Sequence, residues 1–199
     1  MLQVLENLAT LHRNTQRYKE AEAEYQEALE ISRRLAVESP AAYGEEVGRA
    51  LDGLAILHAE AQRHEDAESE FLEALEIWRR LAARNPEAYE ADVATTLNNL
   101  AVLHMDTQRL AEAEAECKEA LEIRRRLAAV QPAAYEPGVA ATQHNMALLF
   151  EKSGKNGDAL AAARESLTTY GRCAERNPAR FEDDLEDARS LVTRLEEET

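Results

Sequence analysis

The sequence is poor in the residues that build sheets, turns and cross-links. Aromatics make up 5% of its 199 residues, and there are seven glycines, five prolines and two cysteines. So few turn formers and β-branched residues argue against a strand-rich fold; Ala, Glu, Leu and Arg, all strong helix formers, dominate instead. No run is long and apolar enough to span a bilayer, and the N-terminus has no apolar signal-peptide core. Basic residues are short too: 23 Lys and Arg face 39 Asp and Glu, for a formal charge of −16. Such a field repels nucleic acid and anionic membranes, and favours solubility or a basic partner. Disorder is excluded, because 45% of the residues are apolar and they recur periodically. Cys117 and Cys173 take places held in sister segments by Tyr25 or Phe71 and by Leu81 or Leu127. They read as small buried apolar groups in a reducing compartment, with the cytoplasm as the default location.

What is abundant is repetition. "LNNLAVLHMDTQRLAEAEAE", from Leu97, has near-copies beginning at Leu5, Leu51 and Gln143. His12, His58 and His104 are spaced by 46 residues, with Phe150 in the fourth place, and Pro40, Pro86, Pro132 and Pro178 keep the same step. Tyr43, Tyr89, Tyr135 and Phe181 follow it as well. Within one period Val93, Leu97, Leu100, Ala101, Leu103 and His104 form one helical stripe. After a short break, "DTQR", a second helix begins acidic (Glu112, Glu114, Glu116) and ends basic (Arg124, Arg125, Arg126), as the helix dipole prefers. Pro132 then blocks continuation, and Tyr135 is expected to dock the connection to the next unit. One such hairpin cannot bury its own apolar faces, but stacked hairpins can.

The expected fold is therefore all-α: a right-handed α-solenoid of stacked antiparallel helix pairs in one domain, 1–199. Its units fall near 1–40, 41–86, 87–132 and 133–178, and a capping helix fills 179–199. Helices are expected at 2–14, 17–38, 44–60, 63–84, 90–106, 109–130, 136–152, 156–176 and 180–197.

Leu100-Ala101, an aromatic-sized residue at His104, Ala113, a large or adaptable residue at Cys117, and Ala120 together resemble the tetratricopeptide repeat (TPR) pattern. Gly154 stands where that family usually has its turn glycine. The late proline, after "RRRLAAVQ", makes the chain similar to the long-helix variety of kinesin light chains and to bacterial TPR arrays. The resemblance implies a protein-binding module whose first helices line a concave groove.

Several chemical motifs dissolve on inspection. The three histidines lie on different units, and packed helices sit about 8–10 Å apart, so they cannot share a zinc whose ligands lie within about 2.1 Å; a packed core histidine is expected. "HEDAE" at His64 lacks the second histidine of a zincin helix. "KSGKNGD" at Lys152 lacks the Gly-Lys-Ser/Thr ending of a phosphate loop and aligns on "DTQRLAE" as a hairpin turn. The arginines Arg34, Arg80, Arg126 and Arg172 recur in register, but Glu30, Glu76 and Glu122 stand four residues before the first three, a helix-stabilising pairing. No nucleophile–base pair survives, so no enzyme, metal or cofactor is expected.

The informative anomaly is Val102, which projects opposite the core stripe at 100° per residue, with Thr95, Asn98 and Met105 beside it. Its counterparts are Thr10, Ile56 and Leu148. These residues either floor the groove or pack between neighbouring first helices; single apolar residues on a surface are common, but a ladder is not single. Arg49, Asp52 and His144 complete the candidate groove. The places matching a carboxylate clamp hold Glu6, Thr10, Gly53, Thr95 and Asn99, which argues against that use.

Two readings follow. The chain is a non-catalytic scaffold that takes a peptide or helix of a partner protein, basic or amphipathic, in its groove. The alternative is a self-associating or spacer segment of a larger multidomain bacterial signalling protein, with homo-oligomers allowed. Neither nucleic acid nor a membrane is an expected partner.

Overall fold

The computed structural model describes residues 1–197, with side chains described for all of these except 40–42. Among them every regular element is a helix: α1 (Leu2–Asn14), α2 (Tyr18–Glu38), α3 (Pro40–Glu60), α4 (His64–Ala82), α5 (Pro86–Asp106), α6 (Leu110–Val130), α7 (Pro132–Lys152), α8 (Asn156–Arg176) and α9 (Pro178–Glu197). The last two residues of the expected cap, Glu198 and Thr199, lie outside the described residues. The chain forms two compact units, one of Met1–Leu103 and one beginning at His104. In the first, α2 packs against both α1 and α3, and α3 packs on α4; in the second, α7 packs against α6 and α8, and α9 against α8.

The helix starts correct one expectation. Each odd-numbered helix after α1 begins two to four residues earlier than expected, because its proline belongs to the helix and not to the connection. Proline is instead the first helical residue at Pro40, Pro86, Pro132 and Pro178. An N1 residue has no intrahelical use for its N–H, and the fixed proline φ suits the first turn. The tyrosines of the Pro-x-x-Tyr motif are therefore helical. Tyr89, in the first turn of α5, stacks on Trp78 of α4 with ring centroids 6.1 Å apart.

The hairpin turns are built alike. Gln16, Gln62 and Gln108 have φ of 60, 61 and 60°, and Gly154 has 69°. The Arg63 N–H donates to the His58 carbonyl (2.8 Å) and the Gln62 N–H to that of Ala59 (3.0 Å). This crossed pair caps the helix C-terminus in the Schellman manner, with the left-handed residue at C′. Arginine then opens the second helix: Arg17, Arg63 and Arg109 reach Glu20, Asp66 and Glu112 in the first turn at 3.1, 2.8 and 3.2 Å.

Small residues at the helix crossings bring the backbones together. Ala9, Ala21, Ala55, Ala67, Ala147 and Ala159 are all fully buried. In the first unit Ala55, Ala67, Phe71, Leu100 and Leu103 form one core cluster. In the second, Ala147, Ala159 and Ala163 pack with Leu191, Val192 and Leu195 of α9, so the terminal helix buries one face on its neighbours. Cys117 and Cys173 are buried free thiols, and burial pushes the Cys117 thiol up to about 12. Among the described residues no helix is long and apolar enough to cross a membrane.

Candidate functional site

The His ladder packs as expected, with His58 and His104 each 3% exposed, and adds a contact the sequence reading did not name. Each histidine is tied across its hairpin to a glutamate of the second helix: His12 to Glu24 at 2.8 Å, His58 to Glu70 at 2.8 Å and His104 to Glu116 at 2.9 Å, through Nδ1. The Nε2 atom of His58 also lies 3.2 Å from Glu22, which accepts a 2.6 Å bond from Arg63. Burial raises the pKa of Glu70 and Glu116, and the histidines oppose that rise. A signal existed in the sequence: Glu24, Glu70 and Glu116 keep the same step, and where Phe150 replaces histidine, Ala162 replaces glutamate. These pairs stitch hairpins together, and they are not gathered at one place. Among the described residues no group of three His, Cys, Asp or Glu could hold a metal ion.

The arginines that bond between hairpins are neighbours of the ladder read from the sequence. Arg33 donates to Glu73 at 2.6 Å and Arg125 to Glu165 at 2.7 Å, each pair bridging consecutive second helices. Arg172 of the original set donates to Glu136 at 3.1 Å, across to α7. These second-helix arginines thus meet carboxylates of neighbouring helices.

The first-helix face of the first unit is different. Arg49, Asp52 and Ile56 of α3 line a cleft of about 310 Å³ together with Glu6 of α1 and Asp92 of α5. Arg49 donates from Nε to Glu6 at 3.1 Å, and also bonds Glu45 and approaches Glu46 at 3.9 Å. Asp52 accepts from the Trp78 indole N–H at 2.7 Å and from the Thr96 hydroxyl at 2.9 Å. Both donors are neutral, so desolvation dominates and pushes the Asp52 carboxyl up to about 6. Desolvation, reinforced by Glu45, raises Asp92 as well.

This network rests on positions that vary from copy to copy. Trp78 stands where the sisters have Ser32, Arg124 and Tyr170. It fits because Gly48 faces it: a Cβ there would lie 2.6 Å from the indole. Likewise a Cβ on Gly53 would lie 2.3 Å from the Tyr25 ring, whose hydroxyl is 2.9 Å from that of Thr10. Thr96, Trp78 and Tyr25 were missed by the sequence reading, which weighed face and register but not copy-to-copy size exchange.

The remaining candidates divide by exposure. Ile56, Val102 and Leu148 are each half-buried. Ile56 packs on the Phe71–Leu100 cluster and Leu148 on the Ala147–Leu191 cluster, so packing accounts for part of each side chain. Thr95 is exposed, with its hydroxyl donating to the Ala91 carbonyl at 2.9 Å. Asn98 and Met105 are 9% and 4% exposed, so they add little surface. His144, half-buried in the second unit, has its pKa lowered by desolvation against the opposing pull of Asp187 and Asp184.

Antiparallel helix pairs packed side by side, repeating every 46 residues, define a helical repeat protein of the α-solenoid class. The family model for the tetratricopeptide repeat matches residues 1–80 and 92–172, and the chain belongs to that family. No curated protein matches the sequence. Among solved structures, BtubC (BKLC) from P. vanneervenii is 22% identical, with a TM-score of 0.66, over 97% of this chain and 77% of that one. The apo form of RapI is 15% identical with a TM-score of 0.74, over 98% of this chain and 66% of that one. A putative kinesin light chain from Podosopora anserina with TPR-like repeats is 15% identical with a TM-score of 0.66, over 98% and 92%. At such identities the likeness is one of fold. TPR repeats generally mediate protein–protein interaction and are generally non-catalytic scaffolds.

Proposed function

We propose that the protein is a non-catalytic scaffold that takes a peptide or helix of a partner protein on the face of its first helices. The observation that carries this is the cleft on α1, α3 and α5. It combines half-buried Ile56 with carboxylates and Arg49, while Arg33 and Arg125 of the second helices pair with Glu73 and Glu165. Arg49, Asp52, Ile56, Thr95 and Val102 make up the proposed surface of the first unit, and His144 and Leu148 that of the second, while Asn98 and Met105, 9% and 4% exposed, stand beneath it. The acid excess favours a basic or amphipathic partner in the cytoplasm. The test compares capture of partners by the wild type and by the Ile56→Ser/Val102→Ser/Leu148→Ser variant, after circular dichroism has established that both are folded. Equal capture by the folded variant removes the first-helix face from the reading.

Self-association is a second reading, and one observation favours it. Val4 and Leu11 of α1 are 67% and 57% exposed, whereas their register equivalents Ala50 and Leu57 of α3 are 0% and 1% exposed. With Leu8 they form an apolar stripe on α1, and exposed Met1 precedes it. Sedimentation of the wild type and of Leu11→Glu separates the readings: a dimer dissolved by the substitution supports self-association.

A further inference from the structure

An arginine–glutamate cluster of the fourth hairpin recurs in the second with its glutamate deleted. Between α7 and α8, Glu136 accepts from the Arg172 Nε at 3.1 Å and also from Arg176. Two repeats earlier the same register places hold Gly44, Arg80 and Arg84. The other copies carry Glu90, Glu136 and Glu182 at the first of these places, so Gly44 is the exception. Arg80 and Arg84 are exposed, and neither makes an ion pair among the described residues. The nearby carboxylates do not substitute for the missing one. Glu73 receives Arg33 at 2.6 Å, and Glu76, one turn before Arg80 on α4, forms no ion pair with it.

The shape of the site is a second, separate observation. Gly44 and Arg80 line one cleft of about 370 Å³ between α2, α3 and α4, with Val47, Ile77 and the 84% exposed Val37 as apolar wall. Gly48 and Gly53 are small because a ring occupies the space, with a Cβ falling 2.6 Å from Trp78 and 2.3 Å from Tyr25. At Gly44 a Cβ would meet the Leu81 side chain at 3.6 Å, an ordinary contact. Packing therefore does not account for the loss of glutamate there.

We infer that Arg80, with Arg84 four residues on, receives one glutamate or aspartate side chain of a partner protein, in the role that Glu136 fills internally in the fourth hairpin. A guanidinium presents parallel N–H donors that match a carboxylate edge, and the bond is charge-assisted. Val37 offers apolar contact to the methylene stem. The formal charge of −16 does not oppose this at contact, since salt screens charges lying beyond about 8–10 Å. The site lies where α2 and α4 flank α3, away from the Arg49–Asp52 cleft, and stands independently of the first-helix reading.

The test titrates acetyl-Ala-Glu-Ala-amide into the nitrogen-labelled protein and follows the arginine Nε–H resonances, with the glutamine tripeptide as the uncharged control. The expected result is a saturable shift at Arg80, weakened by salt and absent with glutamine. Arg172 and Arg176, already filled by Glu136, should stay in place. So should exposed Arg34, which has Glu38 where Arg80 has Arg84. Gly44→Glu returns the internal carboxylate and should abolish the response, whereas Gly44→Ala should keep it. No shift at Arg80, an equal shift with glutamine, or an equal shift at Arg34 overturns the site. An undiminished response in folded Gly44→Glu overturns it as well, and each of these failures leaves the first-helix reading intact.

Discussion

Glu70 meets His58 across the α3–α4 hairpin, with Oε2 2.8 Å from Nδ1. The same bond recurs in the hairpins on either side of it, and the fourth hairpin replaces both partners, with Phe150 and Ala162. The chain has thus made the double exchange once itself. Removing one partner leaves a buried polar group unmet, so His58→Phe and Glu70→Ala should each cost about 1–3 kcal/mol. The double variant should cost less than their sum, since neither group remains to be desolvated alone. Glu22 stays paired with Arg63 in all three variants. Urea denaturation of the full cycle measures this, and additive losses would show that the pair is not a coupled unit.

Asp52 makes stability depend on pH in a direction opposite to that of most carboxylates. Its carboxyl titrates near 3.8 when unfolded and about 6 when folded, so between these values the folded state binds more protons. Its contribution is fully present below the unfolded value and is lost as pH rises through the folded one. The loss is about 2–3 kcal/mol over the window from pH 4 to 6. Asn at this position still accepts from Trp78 and carries no charge. Asp52→Asn should therefore flatten the fall in stability across that window and raise the melting temperature at pH 7. An unchanged pH profile would mean that Asp52 does not titrate there.

The network around Asp52 also marks the limit of what the sequence reveals. Period, helix pairing and the fully buried alanines were legible because they repeat, and four copies average out local exceptions. The site was illegible for the same reason. Trp78, Gly48 and Asp52 stand at positions that differ between copies, and only their meeting in space shows that the three belong together. Pairing copy-specific size changes would have been the usable signal, since a large residue on α4 needs a small one on α3. Gly48→Ala tests the pairing: its Cβ would lie 2.6 and 2.7 Å from two indole atoms. A rigid buried ring cannot yield cheaply, so the expected cost is about 1–3 kcal/mol, with a shifted Trp78 fluorescence maximum. A neutral substitution would show that α3 can move away.

The hairpin turns offer a stabilising change instead. Gln62 has φ of 61°, a left-handed conformation that places its Cβ against the backbone. Such a residue pays about 1 kcal/mol that glycine does not, and Gly154 fills the equivalent place in the fourth hairpin. The Gln62 side chain is exposed, so little packing is lost. Gln62→Gly should stabilise the protein by roughly 0.5–1 kcal/mol, and Gly154→Ala should destabilise it by about as much. Thermal melts of the two variants should move in opposite directions.

The last prediction separates packing from binding at Ile56, Val102 and Leu148. Full burial of such side chains is worth about 1.5–3 kcal/mol each, and these are half-buried, so each Ser substitution should cost roughly 1–2 kcal/mol. A wholly surface role would cost under about 0.5 kcal/mol each, and a wholly internal one up to about 4 kcal/mol. Ile56 and Leu148 touch core clusters on one side, which sets the expectation above the surface value. Single substitutions therefore serve better than the triple as a first measurement, because a combined loss of several kcal/mol could unfold a marginal domain. If all three cost the intermediate amount, and each folded single variant also weakens capture of one and the same partner, the side chains serve both packing and recognition. If the melts fall steeply while capture at low temperature stays whole, the ladder is internal. The binding surface then shifts to the charged cleft of Arg49 and Asp52, where substitution should alter capture and its salt dependence with little loss of helix.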